Sequence, residues 1–138
     1  MRKLISMLML VFVVSALLAG CASKAAAPEK PVPADYAGKT NPVSGQADVI
    51  TAGKDVYTTN CSSCHGDSGT GDGPAGASLD PKPADLVAIL SKVSDDRVFW
   101  IVNEGGAAAG LSASMVSWKD TLSEDEIWQV IAYLRTLK

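Results

Sequence analysis

Residues 60–74 read NCSSCHGDSGTGDGP, and within them Cys61-Ser-Ser-Cys64-His65 constrains the chain more than any other stretch. Two thiols three residues apart stand one turn apart if the backbone there is helical, and the imidazole follows at the next position. His65 is the only histidine in 138 residues. Whatever the thiols and the ring do, they do without a second histidine. The open chemistries are a structural disulfide, a metal site, a redox dithiol, and covalent capture of a prosthetic group.

The beginning of the chain narrows the compartment. Arg2 and Lys3 precede an apolar run from Leu4 to Ala19, broken only by Ser6 and Ser15. A charged start before an apolar stretch too short to span a bilayer is a targeting segment, here residues 1–20. It ends Leu18-Ala19-Gly20-Cys21, which resembles the lipobox of bacterial lipoproteins and makes Cys21 the candidate lipidation site. The mature protein is therefore expected outside the cytoplasm, on the periplasmic side or the cell surface. The whole chain carries 12 basic and 15 acidic side chains, for a net charge of −3. Without Arg2 and Lys3, ten basic against fifteen acidic groups leave −5. No basic stripe of the kind that nucleic acid requires is present, so nucleic acid is not an expected partner. With Cys21 acylated, Cys61 and Cys64 are the two thiols left to act.

Residues 21–47 form an Ala/Pro-rich stretch with Pro28, Pro31, Pro33 and Pro42 and no apolar periodicity, which reads as a lipid-anchored tether. As coil, some 25 residues would reach about 28 Å. Tyr36 is the one residue of the tether suited to docking on the domain. The folded part is expected at residues 48–138 and to be all-α. Val49, Ala52, Gly53, Val56, Tyr57 and Asn60 share one helical face. A short helix is expected over 84–92. Ser94 can cap a helix from Asp95 to Glu104 that Gly105-Gly106 stops. Ser123 with Glu126 makes a capping box, and Leu122 with Ile127 a hydrophobic staple. Ile127, Val130, Ile131, Leu134 and Leu137 then form a buried stripe. A domain this small buries only about 60% of its surface unaided, so a cofactor would help fill its core.

Elimination then acts on the thiols. Gly66-Asp67-Ser68-Gly69 resembles the nucleophile stretch of a chymotrypsin-like protease, but its base would have to be His65, three residues from Ser68 and part of the cysteine motif. Structural zinc wants four ligands, and Cys61, Cys64 and His65 supply three. A thioredoxin-like pair belongs in a βαβ setting that this helical sequence lacks. The glycines lack the Gly-Lys-Ser/Thr of a phosphate loop, and Asp67 and Asp72 lack calcium-loop spacing. A haem fits: each thiol forms a thioether to one vinyl group, and His65 comes under the ring as iron ligand. Met1, Met7 and Met9 leave with the targeting segment, so Met115 is the one thioether of the mature chain. Standing in the Gly/Ala/Ser-rich stretch after Gly105, it is the candidate second axial ligand.

Over residues 48–138 the sequence resembles the class I c-type cytochromes. Gly53 and Tyr57 stand eight and four residues before Cys61, as the family's glycine and aromatic do. Ile131-Ala-Tyr133-Leu134-Arg135 is similar to the family's C-terminal helix, and CHGDSGTGDGPAGASLDPKPADL to the loop after the haem motif in many bacterial monohaem members. The resemblance implies an all-α cytochrome c fold whose first and last helices cross at Gly53, with Tyr57 and Tyr133 beside the crossing, around one covalent haem c. It also implies a proline carbonyl accepting the Nδ1–H of His65, with Pro83 as first choice and Pro74 as the alternative. Trp118 is placed to bond a haem propionate through its indole N–H, and Trp100 to pack in the core. One departure stands out: Met115-Val116-Ser117-Trp118 lacks the proline that follows the methionine in many relatives. That implies a looser loop, in which a lysine such as Lys119 can compete for the iron at high pH.

The function implied is a single-electron carrier rather than an enzyme, exchanging electrons with redox proteins or a membrane respiratory complex. The alternative is a haem subunit of an enzyme, or a peroxidase or sensor, in which Met115 dissociates. A lack of any distal histidine weighs against it.

Overall fold

A computed structural model describes residues 30–138; the targeting segment, Cys21 and the first part of the tether lie outside the described residues. Among the described residues five helices follow in order: α1 (Ala47–Asn60), α2 (Ser62–His65), α3 (Leu86–Leu90), α4 (Asp95–Glu104) and α5 (Glu124–Leu134), with one 3-10 turn at Pro74–Gly76. No strand occurs among the described residues, as the periodicity predicts. No helix among them is long and apolar enough to cross a membrane.

The domain is organised by the crossing of α1 and α5. A Cβ on Gly53 would overlap the carbonyl oxygen of Gln129 and stand 3.1 Å from the Cβ of Tyr133. Only a residue without a side chain lets the two backbones meet there. The rings of Tyr57 and Tyr133 pack beside the contact at 5.3 Å between centroids. The α5 start is built as the sequence predicts. Ser123 Oγ accepts from the Glu126 N–H at 3.3 Å, and the Glu126 carboxylate accepts from the Ser123 N–H at 2.8 Å. Leu122 and Ile127 are both buried, as the staple requires. Ile127, Val130, Ile131 and Leu134 are buried in the core, and Leu137 packs against its edge. Trp100 is buried, and Phe99 meets Trp128 at 4.4 Å between centroids.

Three local expectations are corrected. α3 runs over 86–90 rather than 84–92. Asp85 takes an extended backbone and caps the helix by accepting from Ala88 N–H at 3.1 Å. Beyond Leu90 the backbone tightens, with Lys92 N–H donating to Ile89 and Val93 N–H to Leu90, which ends the α-helix. Ser94 stands at the N-cap of α4, but its hydroxyl donates to the Asp96 carboxylate instead of capping the backbone.

The third correction concerns the tether. Residues 30–46 are not free coil but a strap laid over α4 and the start of α5. Tyr36 Oη donates to Glu104 at 2.7 Å, and its ring faces Phe99 and Trp100 at 6.1 and 6.5 Å. Gly38 N–H reaches Asp96, Lys39 pairs with Glu124 at 3.2 Å, and the Asn41 amide donates to the Trp128 carbonyl at 2.8 Å. Low periodicity concealed this because the contacts are single polar and aromatic residues, not a repeating apolar face.

Candidate functional site

The thiols and the imidazole are set by the end of α1. Cys61 closes that helix, its N–H donating to Tyr57 at 2.8 Å. The chain winds on immediately: Cys64 and His65 both donate to the Cys61 carbonyl, at 3.2 and 2.9 Å. One short turn, α2 with Cys61 as its N-cap, therefore holds Cys61, Cys64 and His65 together. Both thiols are free and half-buried. Burial, with Cys64 adding, pushes the Cys61 thiol up to about 11. A redox dithiol needs the opposite, a lowered thiol, so the pair is ill-suited to disulfide exchange.

His65 is held neutral. Burial lowers its pKa, and the hydrogen bond to Ala84 only partly opposes that. The Nδ1 side faces the Ala84 carbonyl at 3.4 Å. A carbonyl can only accept, so Nδ1 carries the proton and Nε2 keeps its lone pair for a metal. This corrects the expected acceptor: it is Ala84, not Pro83 or Pro74. The Pro83 carbonyl is turned onto Gly71, where a Cβ would overlap its oxygen, and Gly71 has a φ of +80°. With the Pro83 carbonyl spent against that glycine, the next carbonyl along faces the ring. Gly71 N–H donates to His65 O at 2.8 Å, and Leu86 N–H to Gly69 O at 2.7 Å, so the loop folds back on the histidine. Tyr57, 1% exposed, donates to the Gly66 carbonyl at 2.6 Å and ties α1 to the residue after His65.

Met115 and Trp118 come from the other side of the sequence. The loop after α4 closes on itself, with Gly106 N–H donating to Met115 O at 2.8 Å and Trp118 N–H to Val102 O at 3.1 Å. Met115, Trp118 and Cys61 all pack against the same core cluster. The indole N–H of Trp118 is buried and has no hydrogen-bond partner among the described residues. Buried donors are rarely left so, and the usual explanation is a group the protein does not itself supply. A haem fits this set on the chemistry of its donors: two free thiols one turn apart, a neutral imidazole with Nε2 open, a thioether, and an orphaned donor suited to a carboxylate. Cys21 lies outside the described residues.

Sequence reasoning missed Ala84 and the group formed by Tyr36, Asn103 and Glu104. A backbone carbonyl carries no side-chain signal, so nothing in the sequence could single out Ala84. Tyr36 was visible as the lone aromatic of the tether, but its partners were not.

The cytochrome c family profile matches residues 50–138. Among solved structures, a chain of the reducing HAO-like protein complex of Kuenenia stuttgartiensis is similar at 28% identity with a TM-score of 0.54. The match covers 67% of this chain and 44% of that one, so this chain spans less than half its length. Cytochrome cL from the marine methylotrophic bacterium Methylophaga aminisulfidivorans matches in fold at 22% identity, with a TM-score of 0.51 over 83% of this chain and 71% of that one.

Proposed function

This chain belongs to the cytochrome c family and carries covalently bound haem c for electron transfer, and from that premise we propose that it is a lipid-tethered, single-electron carrier with His/Met ligation and no catalysis of its own. Cys61 and Cys64 hold the haem as thioethers, His65 and Met115 take the two axial positions, and Trp118 bonds a propionate. The observation that carries this reading is the packing of Met115 against the same core as Cys61, in a chain with no second histidine. Bound there, the haem supplies a one-electron Fe(III)/Fe(II) couple, whose potential a thioether ligand raises relative to a second imidazole.

The protein's contribution is to keep the ligands still. Ala84 fixes the tautomer and plane of the His65 ring, and Tyr57 braces the backbone behind it. Partial burial lowers the pKa of the imidazole, which favours the neutral form an iron ligand requires. Cys21 is the proposed lipidation site, which places the carrier on the extracytoplasmic face of a membrane, with redox proteins or a respiratory complex as donor and acceptor. A second reading, a haem subunit held permanently in a larger assembly, draws support from the likeness to one chain of a multiprotein complex. Purification in mild detergent separates the two: a carrier elutes alone, a subunit with its partners.

The ligand set is tested by Met115→Ala. The oxidised wild type should show the weak sulfur-to-iron charge-transfer band near the infrared edge. The variant should lose it, bind carbon monoxide when reduced, and fall in potential while keeping its haem. A band and potential untouched by the substitution would overturn Met115 as ligand. Carbon monoxide binding by the reduced wild type would favour a sensor or peroxidase role instead.

A further inference from the structure

The loop that carries Met115, residues 105–119, buries Ala109 and rests Met115 and Trp118 on the core, but it holds no helix or strand of its own. It is rich in Gly, Ala and Ser, and its Leu111 and Val116 side chains are 42% and 55% exposed. Its ends are tied back to α4 by backbone bonds, including Lys119 N–H to Asn103 O at 3.2 Å, and by the Ser117 hydroxyl to the same carbonyl at 2.7 Å. The strap grips this loop at two further points. Lys30 N–H donates to the Ala109 carbonyl at 3.1 Å, in mid-loop. At the loop's base, Glu104 accepts from Tyr36 Oη at 2.7 Å and from Lys119 Nζ at 2.8 Å. The Asn103 amide bridges the two acceptors, donating to Tyr36 Oη at 2.9 Å and to Glu104 at 3.1 Å.

A residue from the N-terminal strap thus shares one carboxylate with the last residue of the methionine loop. The Tyr36 ring is itself held against Phe99 and Trp100, so its hydroxyl comes to Glu104 already oriented. We propose that the strap is a clamp on the sixth-ligand loop, and that Tyr36 is a positioning residue for the iron–sulfur bond, acting through Glu104, Asn103 and Lys119. This rests on Met115 being the ligand. A shift of residues 105–119 against α4 that carries Met115 off the iron would break the shared carboxylate or drag the strap with it.

The test uses the full-length holoprotein and imidazole as a competitor for the sixth site. Tyr36→Phe keeps the ring and removes only Oη. Losing a hydrogen bond to a charged acceptor should raise the apparent affinity for imidazole about tenfold. Amides of residues 106–118 should exchange with solvent faster in the same variant. Lys39→Ala serves as the control, because it releases the strap at Glu124, away from the loop, and should leave imidazole affinity unchanged. Unchanged affinity in Tyr36→Phe, or an equal rise in Lys39→Ala, would overturn the clamp while leaving Met115 in place. A wild-type protein without the sulfur-to-iron band would instead overturn the ligand assignment, and the clamp's role with it.

Discussion

The backbone of Gly53 lies directly against the backbone carbonyl of Gln129, so that α1 and α5 meet with no side chain between them. Gly53→Ala should gain about 1 kcal/mol of helix propensity and lose more to overpacking, because the Gln129 carbonyl it would meet is backbone and cannot swing aside. A net loss of about 2 kcal/mol is expected, which for a domain of this size lowers the melting temperature by roughly 10 °C. Thermal unfolding followed by circular dichroism checks it. An unchanged midpoint would mean the helices separate without cost, and the crossing does not organise the fold.

Trp118 offers a test in which the sign carries the answer. A buried, unpaired indole N–H costs about 1–3 kcal/mol, so Trp118→Phe would stabilise the protein if nothing bonded that nitrogen. If a propionate accepts from it, the substitution should destabilise the holoprotein. It should also lower the reduction potential, since the unshielded carboxylate then favours Fe(III). Voltammetry alongside thermal melting distinguishes the outcomes. A more stable variant at an unchanged potential would remove Trp118 from the haem's surroundings.

Glu104 predicts a pH dependence. The Lys119 ammonium, followed by the Tyr36 hydroxyl, holds its carboxyl below the usual carboxylate range. A depressed carboxyl contributes stability that is fully present above its ordinary value of 4.5 and is lost as pH falls through the lower, folded value. Glu104→Gln should therefore be less stable than wild type at pH 7, and the two should converge in acid. Urea titrations at several pH values provide the measurement; a constant difference would exclude the ion pair as its source. The same contact raises the pKa of Lys119, whose stabilising part persists below 10.5 and fades as pH rises beyond it. Lys119 is thus a poorer high-pH competitor for the iron than its position in the sequence suggests.

Anchoring is tested at Cys21. Cys21→Ser should move the protein from the membrane to the soluble extracytoplasmic fraction with its visible spectrum unaltered. Retention in the membrane after that change would point to another anchor.

Much of this protein is determined by the sequence itself, because the interactions concerned are short-range. Cys61, Cys64 and His65 fall on one turn through the i to i+3 and i+4 geometry of a helix. Ser123 and Glu126 cap α5 across three residues. The crossing at Gly53 is a long-range contact with Gln129, legible in the sequence only through the family resemblance. The tertiary structure decided the rest. Which carbonyl meets Nδ1 of His65 depends on how the chain returns 19 residues later, and the turn of Pro83 onto Gly71 gives that place to Ala84. Tyr36 finds Glu104 across 68 residues, and Trp118 is left with a buried N–H that has no partner among the described residues, through packing that no local pattern encodes. Periodicity reports which face of an element is buried. It does not report which distant polar group arrives there, because that is set by the sum of all the helix contacts at once.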